Sequence, residues 1–239
     1  MTQSFEKATI GDIVAADSRA AAIFEQFGID FCCGGRRSVA EACRTAAVDP
    51  VNVERALEAL ASDEPDGRET ISWPLDRLID HIVGTHHAYV RSALPLISRY
   101  LAKLIDVHGA RHPELVRVAE AFEQLGGELL RHMMKEEWML FPYIRELAIA
   151  PGNSRLPSPF GTVENPIRMM EREHQEAGDE MRAIRELTAG YTPPPDACTT
   201  YRVCLSELAR FEGDLHQHVH LENNVLFPRA VELEQRHRS

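Results

Sequence analysis

Two stretches of this chain match each other: ELLRHMMKEEWMLFP at 128–142 and DLHQHVHLENNVLFP at 214–228. Both fit (Glu/Asp)-x3-His-x3-Glu-x3-Leu-Phe-Pro, which aligns Glu128, His132, Glu136 and Leu140 with Asp214, His218, Glu222 and Leu226. Steps of four place each series along one stripe of an α-helix. A stripe of acid, imidazole, acid and leucine points inward, so each copy needs other helices to cover it. One further histidine precedes each copy at a similar distance, His86 in IVGTHHAYV and His174 in EREHQEAG. The chain therefore reads as two helical hairpins about a pseudo-twofold axis, with four imidazoles and two carboxylates at one level of the core.

A single histidine on a helix is ordinarily a surface residue or a satisfied core residue, and acid–histidine pairs four apart are common on surfaces. Four inward histidines and two glutamates in register would instead be costly to bury without a partner. A metal removes that cost, because imidazole donates a lone pair and carboxylate neutralises charge. Six nitrogen and oxygen ligands fit two metal ions, with Glu136 and Glu222 placed to bridge them. Such mixed sites suit iron, with manganese second; no thiolate lies in the stripe, which argues against structural zinc. Register also selects among crowded histidines. His218 is preferred over His216 and His220, and His86 over His81 and His87. His87 stays a competitor, since its helix has no second ligand to set the phase. Glu128 and Asp214, one turn before the histidines, are candidates for outer hydrogen bonds or proton transfer; plain solvation of a helix face is the competing reading.

The rest of the chain frames this pattern. Long amphipathic helices are expected near 75–107, 114–147, 163–189 and 199–235, with Pro95 kinking or loosening the first. The fold class is all-α, an antiparallel four-helix bundle over 73–239. Residues 1–61 read as a small domain of short helices. Capping boxes stand at Thr9–Asp12 and Ser38–Glu41, an N-cap at Asp17, a stop at Gly28, and Asp49-Pro50 opens another helix. Residues 62–72 read as a linker. The stretch DFCCGG, 30–35, falls in a loop between two short helices, and Arg36 and Arg37 beside it favour thiolate at Cys32 and Cys33. Packing is the bland alternative for that pair; Cys43, Cys198 and Cys204 are assigned no chemistry. A net charge of −11 argues against nucleic acid or an acidic membrane as partner. No run suits a membrane span or a signal segment, so a cytoplasmic protein is expected.

The pieces DFCCGG, HMMKEEWMLFP, EREHQEAG, TPPPDACTT and HVHLENNVLFPRA, in this order from 30 to 230, resemble the hemerythrin-like di-iron family for repair of iron centres. The resemblance implies a ScdA-type N-terminal domain on a hemerythrin-like bundle with a non-haem di-iron centre. Its ligands here would be His86, His132, Glu136, His174, His218 and Glu222, with carboxylate bridges and an oxo or hydroxo bridge. Where oxygen-carrying hemerythrins add another histidine after the third-helix ligand, this chain has Gly178, which argues against reversible oxygen carriage. The implied function is restoration of iron–sulfur clusters damaged by nitric oxide or peroxide, with damaged iron–sulfur proteins as clients and Cys32 and Cys33 as a transient iron or thiol station. Two other classes carry over as alternatives: reduction of nitric oxide to nitrous oxide at the iron pair, with Glu128 or Asp214 as proton source, and a sensor that binds nitric oxide or oxygen.

Overall fold

The structure, a computed structural model, describes residues 8–60, 72–151 and 156–238. The linker expected at 62–72 lies outside them except for Ser72. Four short helices come first: α1 (Ile10–Ala16), α2 (Ala20–Gln26), α3 (Val39–Ala46) and α4 (Pro50–Leu60). Helix α5 (Leu75–His81) passes through a π-helical segment, Ile82–His87, into α6 (Ala88–His108). Helix α7 (Glu114–Lys135) passes through a second, Glu136–Leu140, into α8 (Phe141–Ile149). Helix α9 (Glu164–Leu187) is uninterrupted, and α10 (Thr199–His220) passes through a third π segment, Leu221–Leu226, into α11 (Phe227–Arg238). The fold is all-α; the only β-type contact among the described residues is an isolated bridge between Thr9 and Ser38. No described helix is long and apolar enough to cross a membrane.

Contacts group the chain into two compact units, Met1–Asp80 with Ile144–Ile167 and His216–Ser239, and His81–Tyr143 with Arg168–Leu215. The second is a slice of four-helix bundle from α6, α7, α9 and α10. Phe122 of α7 meets Phe211 of α10 edge to face at 5.3 Å, and both are fully buried with Ile97, Val118, Leu125 and Ile184. Burying each such side chain contributes about 1.5–3 kcal/mol. Gly126 lets α7 approach α6, since a Cβ there would stand 2.9 Å from Leu94. Pro95 does not break α6, which runs through it from Ala88 to His108. The loosened turn lies N-terminal to it, at Ile82–His87.

In the first unit the short helices form where their caps direct. Both capping boxes are closed, Thr9 with Asp12 and Ser38 with Glu41, and Gly28 ends α2 with φ +66°. Asp17 does not cap α2 at Ser18. Its carboxylate accepts from the Arg19 backbone and guanidinium, and the helix begins at Ala20. The loop after α2 is held against the π segment Leu221–Leu226. Asn224 Nδ2 donates to the carbonyls of Phe31 and Cys32 at 3.3 and 3.2 Å, and Asn223 Nδ2 to Cys32 at 3.3 Å. Gly11 and Gly35 leave room for that amide. A Cβ on Gly35 would overlap Asn224 Oδ1 and lie 2.8 Å from the Phe31 carbonyl. Gly35→Ala should therefore cost about 1–3 kcal/mol through overpacking, read as a lower midpoint of thermal unfolding; an unchanged midpoint would contradict this packing.

Candidate metal centre

The π segments decide which side chains point inward. An α-helix returns to the same face after three or four residues, whereas an i→i+5 turn holds one residue more. In the first rod Ile79 and Ile82 are buried, and an unbroken helix would bring His86 next to that face. The wider turn at Ile82–His87 carries the inward position one residue further, to His87, which is completely buried and leads on to Val90, Leu94 and Ile97.

His87 Nε2 lies 3.4 Å from Glu136 Oε2. His86 is buried but takes another partner, its Nδ1 donating to Asp214 Oδ1 at 3.0 Å. The residue expected from register as the first-helix ligand thus stands apart from the cluster, and its neighbour stands in it. On the other side of Glu136, Oε1 lies 3.3 Å from His132 Nε2, and His132 Nε2 faces His174 Nε2 at 3.0 Å. His132, Glu136 and His174 offer ligand atoms all within 4.8 Å of one another, and all three are buried. In the other unit His218 Nε2 lies 3.0 Å from Glu222 Oε1, again with both residues buried, so the second copy of the repeat reproduces the His–Glu pair. This buried donor set of imidazole and carboxylate is chemically suited to a metal cation.

Two carboxylates orient the cluster, and register alone does not reveal them. Glu173, next to His174, accepts from His132 Nδ1 at 2.8 Å and pairs with the Lys135 ammonium. Glu137, next to Glu136, accepts from His87 Nδ1 at 2.6 Å and from Arg91 at 2.6 Å. Each fixes the proton on Nδ1 and turns Nε2 toward Glu136, the arrangement of metal-binding histidines with an outer carboxylate. The His132 hydrogen bond above all, with Lys135 beside it, outweighs burial and holds the Glu173 carboxyl down at about 2. Burial opposes the charged form of Glu137, but Arg91 and His87 outweigh it and keep that carboxyl below its usual range.

A carboxyl held down on folding stabilises the fold above its unfolded pKa, about 4.3, and that contribution is lost as pH falls through about 2. Glu173→Gln should therefore flatten the acid-unfolding profile of metal-free protein between those values. It should also weaken metal binding by roughly 10–100-fold, measured by competition with a chelator; unchanged affinity would remove Glu173 from the site.

Glu128 does not reach the cluster as a hydrogen-bond partner. It accepts from Gln124 on its own helix and borders a cavity of about 220 Å³ that also touches His132, Lys135, Glu173 and His174. Asp214 serves His86 rather than a cluster histidine.

The loop 30–35 forms a separate station within the first unit. Asp30 Oδ1 accepts from the backbone N–H groups of Cys32 and Cys33 at 3.1 and 2.9 Å. Cys32 Sγ lies 3.3 Å from that oxygen and 3.9 Å from Cys33 Sγ, so the three side chains could share one ion. Cys32 is buried and Cys33 half-buried. The expected effect of the arginines is reversed at Cys32: its hydrogen bond with Cys33, then burial, then the Asp30 charge push its thiol well above the ordinary value. Arg37 is occupied with the Gly34 carbonyl and stands 3.9 Å from Asp30.

Residues 78–230 match the hemerythrin HHE cation binding domain, and residues 6–61 match ScdA_N, a domain of unknown function. The chain is 35% identical to the iron-sulfur cluster repair protein YtfE of Citrobacter koseri, over 95% of this chain and 98% of the relative. It is 36% identical to the protein of that name in Escherichia coli O157:H7, over 93% and 96%. The protein of the same name in Salmonella paratyphi B is 38% identical, again over 93% and 96%.

Proposed function

The chain belongs to the hemerythrin HHE cation-binding family, and on that premise we propose that it holds a pair of iron ions and restores damaged iron–sulfur clusters. The observation that carries the dinuclear reading is the aim of Glu136, whose Oε1 faces His132 and whose Oε2 faces His87. A buried carboxylate turned toward an imidazole on each side is placed to bridge two cations. His132 and His174 would supply imidazoles from one side of Glu136 and His87 from the other. His218 and Glu222 join the set because they repeat the His132–Glu136 pair in sequence and in burial. The ligands are thus His87, His132, Glu136, His174, His218 and Glu222, with His87 in place of His86. A set without thiolate, rich in imidazole and carboxylate, suits iron.

When bound, the iron pair supplies iron and redox equivalents for rebuilding a cluster. The chain's own residues do the rest. Glu173 and Glu137 keep His132 and His87 in the tautomer that presents Nε2. Cys32, Cys33 and Asp30, in an N-terminal domain over 1–61, form a transit station for iron as cargo. The names of the relatives, iron-sulfur cluster repair proteins, support the client class, and cytoplasmic residence belongs to the same reading. Metal analysis with Mössbauer spectroscopy on anaerobic protein tests it: two antiferromagnetically coupled irons per chain are expected, and one zinc per chain would overturn it.

A further inference from the structure

Helix α6 ends at His108, about 30 Å along the helix from His87 at 1.5 Å per residue, and α10 starts just after Cys198. These two ends meet. His108 Nε2 lies 3.3 Å from Cys198 Sγ. Cys198 is exposed to solvent, whereas His108 is 4% exposed and its buried Nδ1 finds no hydrogen-bond partner among the described residues. Ring packing sets its direction instead, through an edge contact with Tyr201 at 5.4 Å. His112 closes the other side of Tyr201 at 5.6 Å and is tied by its two nitrogens to Glu114 and Asp196.

Helix dipoles act on this pair in complementary directions. The Cys198 carbonyl accepts the first hydrogen bond of α10, from Arg202 N–H, so the sulfur sits at the positive end of a 22-residue helix. His108 occupies the last turn of α6, the negative end. Negative charge developing on sulfur and positive charge developing on imidazole are both stabilised there. A nucleophile within reach of a base, with the base oriented by a third group, is the arrangement of an activated thiol.

We propose that Cys198 and His108 form a thiol–imidazole pair reactive toward hydrogen peroxide, a modification site separate from the His–Glu cluster. Sγ attacks one peroxide oxygen, forming an S–O bond as the O–O bond breaks. The thiol proton passes by way of His108 Nε2 to the departing hydroxide. One thiol and one peroxide give one sulfenic acid and one water; sulfur loses two electrons and the peroxide gains them. Cys43 and Cys204 are fully buried, and burial above all pushes the Cys204 thiol up to about 12, so they serve as silent internal controls.

The full-length protein is treated with hydrogen peroxide in the presence of a sulfenic-acid trap, and each cysteine peptide is followed by mass spectrometry against N-acetylcysteine in the same tube. Cys198 should be trapped roughly tenfold or more faster than the free thiol, and His108→Gln should bring it down to the free-thiol rate without changing metal content. A wild-type rate no faster than N-acetylcysteine overturns the proposal. So does a His108→Gln rate equal to wild type, or protection of Cys198 that only a chelator relieves. If His108→Gln does not fold, the wild-type comparison decides alone.

Discussion

His87→Ala should strip the cation site, while His86→Ala should leave it loaded. Register along an unbroken helix predicts the opposite, so the two substitutions separate a straight helix from one widened at Ile82–His87. His87 Nε2 stands 3.4 Å from Glu136 and its Nδ1 is held by Glu137; truncating it removes a donor and leaves two acids without it. The loss should exceed the roughly 10–100-fold typical of an outer partner, seen as metal content falling to background after dialysis against a chelator. His86 donates to Asp214, so His86→Ala costs a buried hydrogen bond, about 0.5–1.5 kcal/mol of stability, and no ligand. Metal lost from His86→Ala but kept by His87→Ala would show that the widened turn does not exist in solution.

Cys32→Ser with Cys33→Ser should abolish recovery of a damaged iron–sulfur enzyme and leave the iron spectrum of the bundle intact. The two thiols and Asp30 form a candidate group of their own, and among the described residues no cysteine lies in the His–Glu groups. Serine keeps the size of the side chain and, through its backbone N–H, the hydrogen bonds to Asp30, so the loop should stay folded. Because the Cys32 thiol is pushed well up by Cys33 and burial, an incoming cation must displace its proton, and loading of the station should release protons. Reactivation of a nitric-oxide-treated cluster enzyme under anaerobic conditions reads the outcome. Full recovery with the double variant would end the proposed role of the thiols.

Much of this architecture is legible in the residues. The four rods begin and end close to the spans that periodicity predicts, and both capping boxes close because their side-chain chemistry is local. His132, Glu136, His218 and Glu222 are buried, as steps of four require. What escapes the pattern is non-local or breaks its period. Counting residues assumes an unbroken α-helix, so a widened turn shifts the reading by one at His86 and His87. Pro142 and Pro228, just after the second and third π segments, were a usable signal, since proline cannot donate to the preceding turn; the first segment has no such neighbour. Glu173 and Glu137 were hidden for another reason. Each is adjacent to a residue of the His–Glu cluster and so falls off its stripe, yet each reaches a histidine on a different helix. Asn223 and Asn224 likewise hold a loop almost two hundred positions away in the chain.

The segment Leu221–Leu226 carries Glu222, Asn223 and Asn224 in succession. One turn therefore bears a carboxylate of the His–Glu stripe and the amides that grip the Cys32 carbonyl. Thermodynamic linkage makes such sharing reciprocal. If filling the carboxylate steadies that turn, it tightens the hold on the thiol loop by the same factor by which a seated loop tightens the hold on the metal. An emptied site then loosens its own docking arm.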